Sequence, residues 1–428
     1  MYKQNEKIKW ACIQPLTGGF YLGAEEAFGY PAEWILTYKG LDEIKKNKDG
    51  EITGVANEAY LLNYLKKVNR EVPYYKMNRA MFDADISNMD PEITLNDEPS
   101  KPDYNVDIIV AVPVCSGLSM VTSAKDDTRN ERNCNMLYLA KLALTTIRPK
   151  VYIFENAPTL MGFRGDELRS QFEQIANEND YVVVYYKTDT WKHYNCQKRP
   201  RTFVMFVKKI DGESKVPTLD FTDHKMTIEE FFANIPEGLS NQEECEASPH
   251  NYMVIDFFKY KYGKDWIDNV NGCLMKNIVQ RGLIDELLNF MDSYDKMPIE
   301  TKEKVRHYIE HIRKKTSMGL NWYGSDCCYY KEHFPAIQFR SITTTIHPSG
   351  ERMCNVREYL ELMGMPHDFD WFGDKGNLPK IGQNVPVKTA KFVTEQAIKI
   401  VNNWNNESRQ DGSAIFFDNT NNTIKKIA

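Results

Sequence analysis

Asp107-Ile108-Ile109-Val110-Ala111-Val112-Pro113-Val114-Cys115-Ser116-Gly117-Leu118-Ser119 decides how the chain is read. Its first half is apolar and β-branched, the pattern of a strand buried on both faces. Its second half is small, polar and glycine-containing, as suits a loop leaving the carboxyl end of a strand, where open α/β sheets place their ligands. Cys115 stands at the junction. An isolated cysteine is more often a small core residue than a nucleophile, so its meaning depends on the strands around it.

Working outward, Ile8 to Ile13 reads as an earlier strand that enters Gln14-Pro15-Leu16-Thr17-Gly18-Gly19-Phe20 and then a helix from Leu22 to Phe28. Glu33 to Thr37 reads as the next strand, 44 to 57 as a loop, Asn57 to Val68 as a helix, and 87 to 106 as a surface connection. Downstream of Cys115, residues 116 to 132 read as a loop with Lys125, Arg129 and Arg132, and Asn135 to Ile147 as a helix. Val151-Tyr152-Ile153-Phe154 is a second buried strand, ending in Glu155-Asn156-Ala157. A helix from Asp166 to Asn177 and strands at 181–186 and 201–207 follow. This βαβ rhythm predicts an α/β fold with a doubly wound, Rossmann-like and largely parallel sheet. The turn after the first strand is the kind that brings backbone amides to a nucleotide-like ligand, although a lone Gly-Gly serves any tight turn.

At 428 residues the chain has room for two or three domains. With 42% hydrophobic and 27% charged residues it has the composition of an ordinary globular protein. No apolar run approaches the roughly 18 residues of a membrane span, and the N-terminus lacks a signal-peptide core. Nine cysteines without framework spacing suit a reducing compartment. The absence of a Cys-x-x-Cys pair argues against zinc, so no metal is expected. The net charge of −6 does not advertise nucleic-acid binding, but a one-sided basic face can hide under it. Lys302 to Lys315 is such a stretch, with six Lys or Arg against two Glu, and it reads equally well as a solvated helix face.

Past about 211 the βαβ rhythm stops. Two helical patterns follow, one through Leu274, Ile278, Leu287, Leu288 and Met291, the other through Val305, Tyr308, Ile309 and Ile312. Near the end come Thr343-Thr344-Thr345-Ile346, Arg352, Val356-Arg357-Glu358-Tyr359 and Ile381-Gly382-Gln383-Asn384-Val385-Pro386. Taken in order, Pro113-Val114-Cys115, Glu155-Asn156-Ala157, Gln197-Lys198-Arg199-Pro200-Arg201, Arg352 to Tyr359 and Gly382 to Pro386 resemble the motifs of the DNA (cytosine-5) methyltransferase family. Those are Pro-Cys, Glu-Asn-Val, Gln-x-Arg-x-Arg and Gly-Asn-x-Val-Pro. The chain departs from the family at several points: Val114 precedes the cysteine, Gln14 and Leu16 replace the Phe and first Gly of the glycine turn, and Thr37 stands where an acid usually holds a ribose.

The resemblance implies the following. Cys115 adds as thiolate to C6 of a flipped cytosine, so that C5 takes a methyl group from S-adenosylmethionine. Glu155 bonds N3 and the exocyclic amine, for which it must carry a proton, and Arg199 and Arg201 complete the catalytic group. Gly18, Gly19, Phe20, Asp85, Ile86, Pro113, Asn384 and Val385 surround the donor; Asp42 or Glu43 are stand-ins for the missing acid, and Asp85 reads equally as a turn carboxylate. Ser119, Asn156, Gln197, Thr344 and Arg352 face the DNA, Thr344 being also compatible with an ordinary threonine-rich edge strand. The resemblance also divides the chain into a class I methyltransferase domain over 1–210, a largely helical target-recognition insert over 211–334, a return to the catalytic domain over 335–404 and a polar tail over 405–428. A monomer acting on double-stranded DNA is expected, cytoplasmic and nucleoid-associated, of bacterial or phage origin. The resemblance leaves a cognate restriction endonuclease open as partner. Two rival readings stand beside it: an RNA cytosine-5 methyltransferase, and a catalytically impaired or altered-donor DNA-binding relative.

Overall fold

The structure, a computed structural model, describes residues 7–114, 118, 129–210, 215–322, 326–337, 344–373, 375–403, 409–411 and 414–426. It divides into two compact units, residues 1–225 with 362–428 and residues 226–361.

The first unit is organised by one mixed sheet. Its strands among the described residues are β1 (Trp10–Ile13), β2 (Ile35–Tyr38), β3 (Tyr74–Met77), β4 (Ile93–Leu95), β5 (Glu98–Pro99), β6 (Ile108–Ala111), β7 (Val151–Asn156), β8 (Tyr181–Asp189), β9 (Pro200–Lys208), β10 (Ala414–Asp418) and β11 (Thr423–Lys426). Their order across the sheet is β11-β10-β8-β9-β7-β6-β1-β2-β3-β4-β5. Strand β6 lies between β1 and β7, parallel to both, and its four residues are fully buried. That is what a continuous β-branched run is for. The strands read at 181–186 and 201–207 form a hairpin, with β8 and β9 antiparallel over their full length and β9 antiparallel to β7.

Helices α1 (Gly19–Phe28), α2 (Asn57–Lys67), α3 (Arg129–Leu142) and α4 (Asp166–Glu178) alternate with the strands. The late helix α11 (Val387–Asn402) packs on α1. The approach is close because position 23 is glycine: a Cβ there would stand 2.4 Å from the carbonyl oxygen of Val387.

Three expectations change. The stretch 44 to 57, polar enough to read as a loop, contains a short hairpin, Ile44–Lys46 with Ile52–Val55. The stretch 87 to 106 contributes β4 and β5 to the sheet edge. The polar tail is also structured: β10 pairs parallel to β8, and Ile415 and Phe417 are fully buried. Its Asn- and Asp-rich composition masked an Ile-Phe-Phe run long enough to be a strand.

The second unit is largely helical, from α5 (Ile228–Ala233) through α6 (Pro249–Tyr262), α7 (Leu274–Gln280), α8 (Ile284–Ser293) and α9 (Ile299–Ser317) to α10 (Val356–Leu362). Its core gathers Met253, Phe257, Trp266, Ile278, Leu287 and Ile309. It begins at Met226 rather than 211, because Lys215–Pro217 pairs with Arg409–Asp411 in the first unit. It ends at Glu361 rather than 334, because Ile346 and Met353 belong to its core. No helix among the described residues is long and apolar enough to cross a membrane.

Candidate functional site

Strands β6 and β7 run side by side, with Ala111 opposite Phe154, so both end at the same edge of the sheet. Cys115 and Ser119 follow β6 but lie outside the described residues. The chain is described to Val114, whose amide donates to Asn135 Oδ1 at 2.8 Å, while Asn135 Nδ2 donates to the Tyr38 hydroxyl at 3.0 Å. The residue before Cys115 is therefore tied to α3 and β2. Pro113 lies buried one position earlier. Asn135 escapes sequence reading, since nothing in a helix pattern marks which polar residue faces a loop.

Glu155 is the penultimate residue of β7, with 5% of its surface exposed. Arg201 Nε stands 2.5 Å from Glu155 Oε1. The strand ladder explains the pairing: Glu155 is opposite Phe203, so Arg201, two residues along, is its diagonal neighbour on the same face. Arg199 is 4% exposed. Its amide donates to Asp189 Oδ1 at 3.0 Å, and its guanidinium to the Asn384 carbonyl at 3.1 Å. Asn156 and Gln197, expected to face DNA, are instead fully buried. Asn156 Oδ1 accepts from the Ala157 amide at 2.8 Å and its Nδ2 lies against Met136 Sδ. Gln197 takes the Asn195 side chain on its amide at 2.8 Å. Both shape the backbone beside the site.

The glycine turn forms the other side. Gly18 has φ +104°, open to glycine at little cost, and a Cβ there would press on Leu61 Cδ1 at 2.7 Å. A Cβ on Gly19 would fall 2.0 Å from the Val385 carbonyl oxygen. Asn384 Oδ1 receives the amides of Gly19 at 2.7 Å and Val385 at 3.0 Å. Asn384 thus reaches both the turn and, through its carbonyl, Arg199. Phe20 points into the core, edge-on to Phe203 at 5.8 Å. Gln14 Oε1 and Thr17 Oγ1 are buried with no hydrogen-bond partner, an arrangement that a polar ligand would satisfy.

Thr37 carries no charge, yet it leads to a carboxyl the sequence reading missed. Its hydroxyl donates at 2.7 Å to Glu58 Oε1, in the first turn of α2 and fully buried. An acid next to an asparagine at a helix start looks like ordinary first-turn charge, so no sequence signal set it apart. Asp42 pairs with Lys76 at 2.7 Å. Asp85 is exposed and accepts from the Ser87 amide at 2.9 Å and its hydroxyl at 2.5 Å. These bonds hold its carboxyl below the ordinary value. Ile86 packs half-buried against the core.

In the second unit, Thr344 is buried and its carbonyl accepts from Cys328 N at 2.7 Å. Arg352 grips Glu358 with both terminal nitrogens, at 3.1 and 2.5 Å. Its charge is committed inside the unit. Lys302 reaches the Asp292 carbonyl at 3.2 Å. No cluster of metal-ligating residues occurs among the described residues.

The family model described as "C-5 cytosine-specific DNA methylase" matches residues 67–399, well over half of the chain. A protein named as a type II methyltransferase of Methanocaldococcus jannaschii is 23% identical over 305 residues, covering 69% of this chain and 78% of its own. Among solved structures, an Entamoeba histolytica methyltransferase aligns with a TM-score of 0.51 at 12% identity, covering 93% of this chain and 99% of that one. A prophage-encoded DNA modification methyltransferase of E. coli aligns with a TM-score of 0.47 at 15% identity, over 92% and 99%.

Proposed function

The chain belongs to the C-5 cytosine-specific DNA methylase family, and we propose that it methylates C5 of a cytosine flipped out of double-stranded DNA, through a covalent bond from Cys115 to C6. The observation that carries the reading is the Glu155–Arg201 pair, its carboxyl buried near the end of β7, next to the strand that leads to Cys115. Addition of a thiolate at C6 breaks the aromaticity of the ring and pushes electron density onto C5. Glu155 takes up that change at N3 and the exocyclic amine. Its pairing with Arg201 holds the carboxyl in place for that contact. Arg199, braced by Asp189 and Asn384, offers a fixed positive charge in a buried site, where charge is felt strongly.

The donor in this reading is S-adenosylmethionine, which supplies the electrophilic methyl. The residues present fit it: the Gly18–Gly19 turn admits no side chain on Gly19, and buried Gln14 Oε1 and Thr17 Oγ1 await partners. Gly18, Gly19, Pro113, Asn384 and Val385 would line this side, with Phe20 and Ile86 packing behind it. Asp85 serves only by giving up its turn to Ser87. The second unit is the target-recognition element of this reading. In this reading the enzyme acts as a monomer, and a cognate restriction endonuclease remains open as a partner.

A duplex pool carrying 5-fluorocytosine tests the chemistry, because fluorine at C5 cannot leave as a proton and the adduct persists. With labelled S-adenosylmethionine, the trapped complex is expected to carry both DNA and label. Cys115→Ser abolishes it and Cys134→Ser does not. Trapping on an RNA pool alone moves the substrate to RNA, and no adduct on either pool returns the chain to a binding role.

A further inference from the structure

In the second unit the two-residue strands Gly272–Cys273 and Cys328–Tyr329 run antiparallel, with Cys273 directly opposite Cys328. The hydrogen bonds show which kind of rung this is. The Leu274 amide donates to the Cys327 carbonyl at 2.9 Å, one residue beyond the pair. The amide and carbonyl of Cys328 both turn the other way. Its N–H donates to the Thr344 carbonyl at 2.7 Å, and its carbonyl accepts from the Ile346 amide at 2.8 Å. Cys273 and Cys328 are therefore a non-hydrogen-bonded pair, the narrow rung of an antiparallel ladder. At such a rung the Cα atoms lie about 4.5 Å apart and the two side chains share one face. That separation falls within the range a disulfide spans, roughly 4.4–6.8 Å between Cα atoms.

Both cysteines are free thiols and half-buried. The neighbouring Cys327 points to the opposite face of its strand, fully buried, with its Sγ 3.8 Å from the Asn251 carbonyl oxygen. Cys328 Sγ donates to the Asp326 carbonyl at 3.6 Å, and a thiol is a weak donor that gives up such a bond at little cost.

We propose that Cys273 and Cys328 are an oxidative modification site: hydrogen peroxide closes them to a cross-strand disulfide that staples the helical second unit. One sulfur attacks a peroxide oxygen, the O–O bond breaks, and a sulfenic acid forms as the thiol proton leaves in the first water. The opposite thiol then attacks that sulfur, the S–O bond breaks, and the second water leaves as the S–S bond forms. The dithiol is oxidised by two electrons and the peroxide reduced by two. The new bond closes the stretch from Leu274 to Cys327, which contains α7, α8 and α9, and cross-linking a long stretch constrains the unfolded chain. It also fixes the strand to which Thr344 and Ile346 are hydrogen-bonded. In a reducing compartment the pair stays open until oxidant arrives, as redox-sensing thiols do.

The test takes the full chain, reduced and then treated with one equivalent of hydrogen peroxide, and maps its cysteines by alkylation, digestion and mass spectrometry. A peptide pair joining Cys273 to Cys328 is expected, and dithiothreitol should dissolve it. Cys327→Ser should keep the link. Cys273→Ala and Cys328→Ala, made separately so that a folding failure in one leaves the other to report, should each remove it. Amide hydrogen exchange supplies the second readout. Core amides of α8 and α9 are expected to slow about tenfold or more in the oxidised wild type, to recover with dithiothreitol, and to be unmoved by peroxide in either alanine variant. If both cysteines are still alkylated after peroxide, or either is linked to another cysteine, the site is wrong. A Cys273–Cys328 link that leaves exchange in α8 and α9 unaltered overturns the staple.

Discussion

Glu155 and Arg201 meet because two antiparallel strands are in register; Gly19 and Asn384 meet across 365 residues of chain because a side chain reaches over. The base side of the site is set by the pleat, where a shift of one residue would turn either partner to the opposite face. The side proposed for the donor is a turn held by the side chain of Asn384, remote in sequence. The two sides also differ in what they keep of the family. The base side retains Glu155, Arg199 and Arg201 in place. The donor side has lost the Phe, the first Gly and the ribose acid. A site written into a sheet register admits few substitutes, whereas a turn held by outside side chains can exchange its own residues if the holders remain.

The sharpest way to break this contrast is at Glu155. Glu155→Gln is expected to lower kcat by about 10²–10⁴-fold, the range of a lost acid–base group, with donor affinity within about twofold of wild type. Turnover within tenfold of wild type would mean that the strand-end carboxyl does not act on the base.

On the donor side the expectation concerns stability as well as binding. The Glu58 carboxyl lies above its ordinary value of 4.5, at about 8. The raised folded-state value means that its contribution to stability is complete below about pH 4.5 and is lost as pH rises through about 8. That loss is on the order of 4 kcal/mol for a shift of this size. Urea midpoints should therefore fall between pH 5 and pH 8.5, and the fall should be blunted in Glu58→Gln. Parallel curves for the two proteins would place the titrating group elsewhere.

The smallest effect is expected at Asn384. Asn384→Ala leaves the amides of Gly19 and Val385 without their acceptor and should cost about 1–3 kcal/mol. The loss should appear in the melting temperature and in donor affinity together. If donor affinity falls while 5-fluorocytosine trapping on DNA with saturating donor stays intact, the two sides are separable. If trapping also fails, the carbonyl bond from Asn384 to Arg199 couples them.

Much of the fold was legible because buried strands announce themselves: Ile108 to Ala111 and Val151 to Phe154 read as strands and are strands, adjacent and parallel. Strands 181–186 and 201–207 were legible for the same reason, though their antiparallel pairing was not. The tail was not, because its apolar residues are few and set among Asn and Asp, and only the uncovered edge of β8 shows where they go. Within the proposed site, Glu155 and Arg201 were legible only through the resemblance of their motifs to the family's, and the structure pairs them. Asn156, Gln197 and Arg352 were legible as motif members but not in their surroundings, since burial of a polar side chain depends on what packs above it. Glu58 and Asn135 act through contacts 16 to 97 residues distant in sequence, which no local pattern reports.

The pairing of β10 with β8, and of α11 with α1, has a consequence for the order in which the molecule is made. A ribosome delivers β1 and α1 first and β8 midway, but their neighbours α11 and β10 only after the whole second unit has emerged. Until residues 387–418 arrive, the buried face of α1 and the long outer edge of β8 stand uncovered, and an exposed edge of nine residues invites pairing with other chains. The second unit, continuous in sequence, can close while the first is still waiting. The first unit is begun before the second and finished after it, and its early half spends the intervening time as a nascent chain in need of protection.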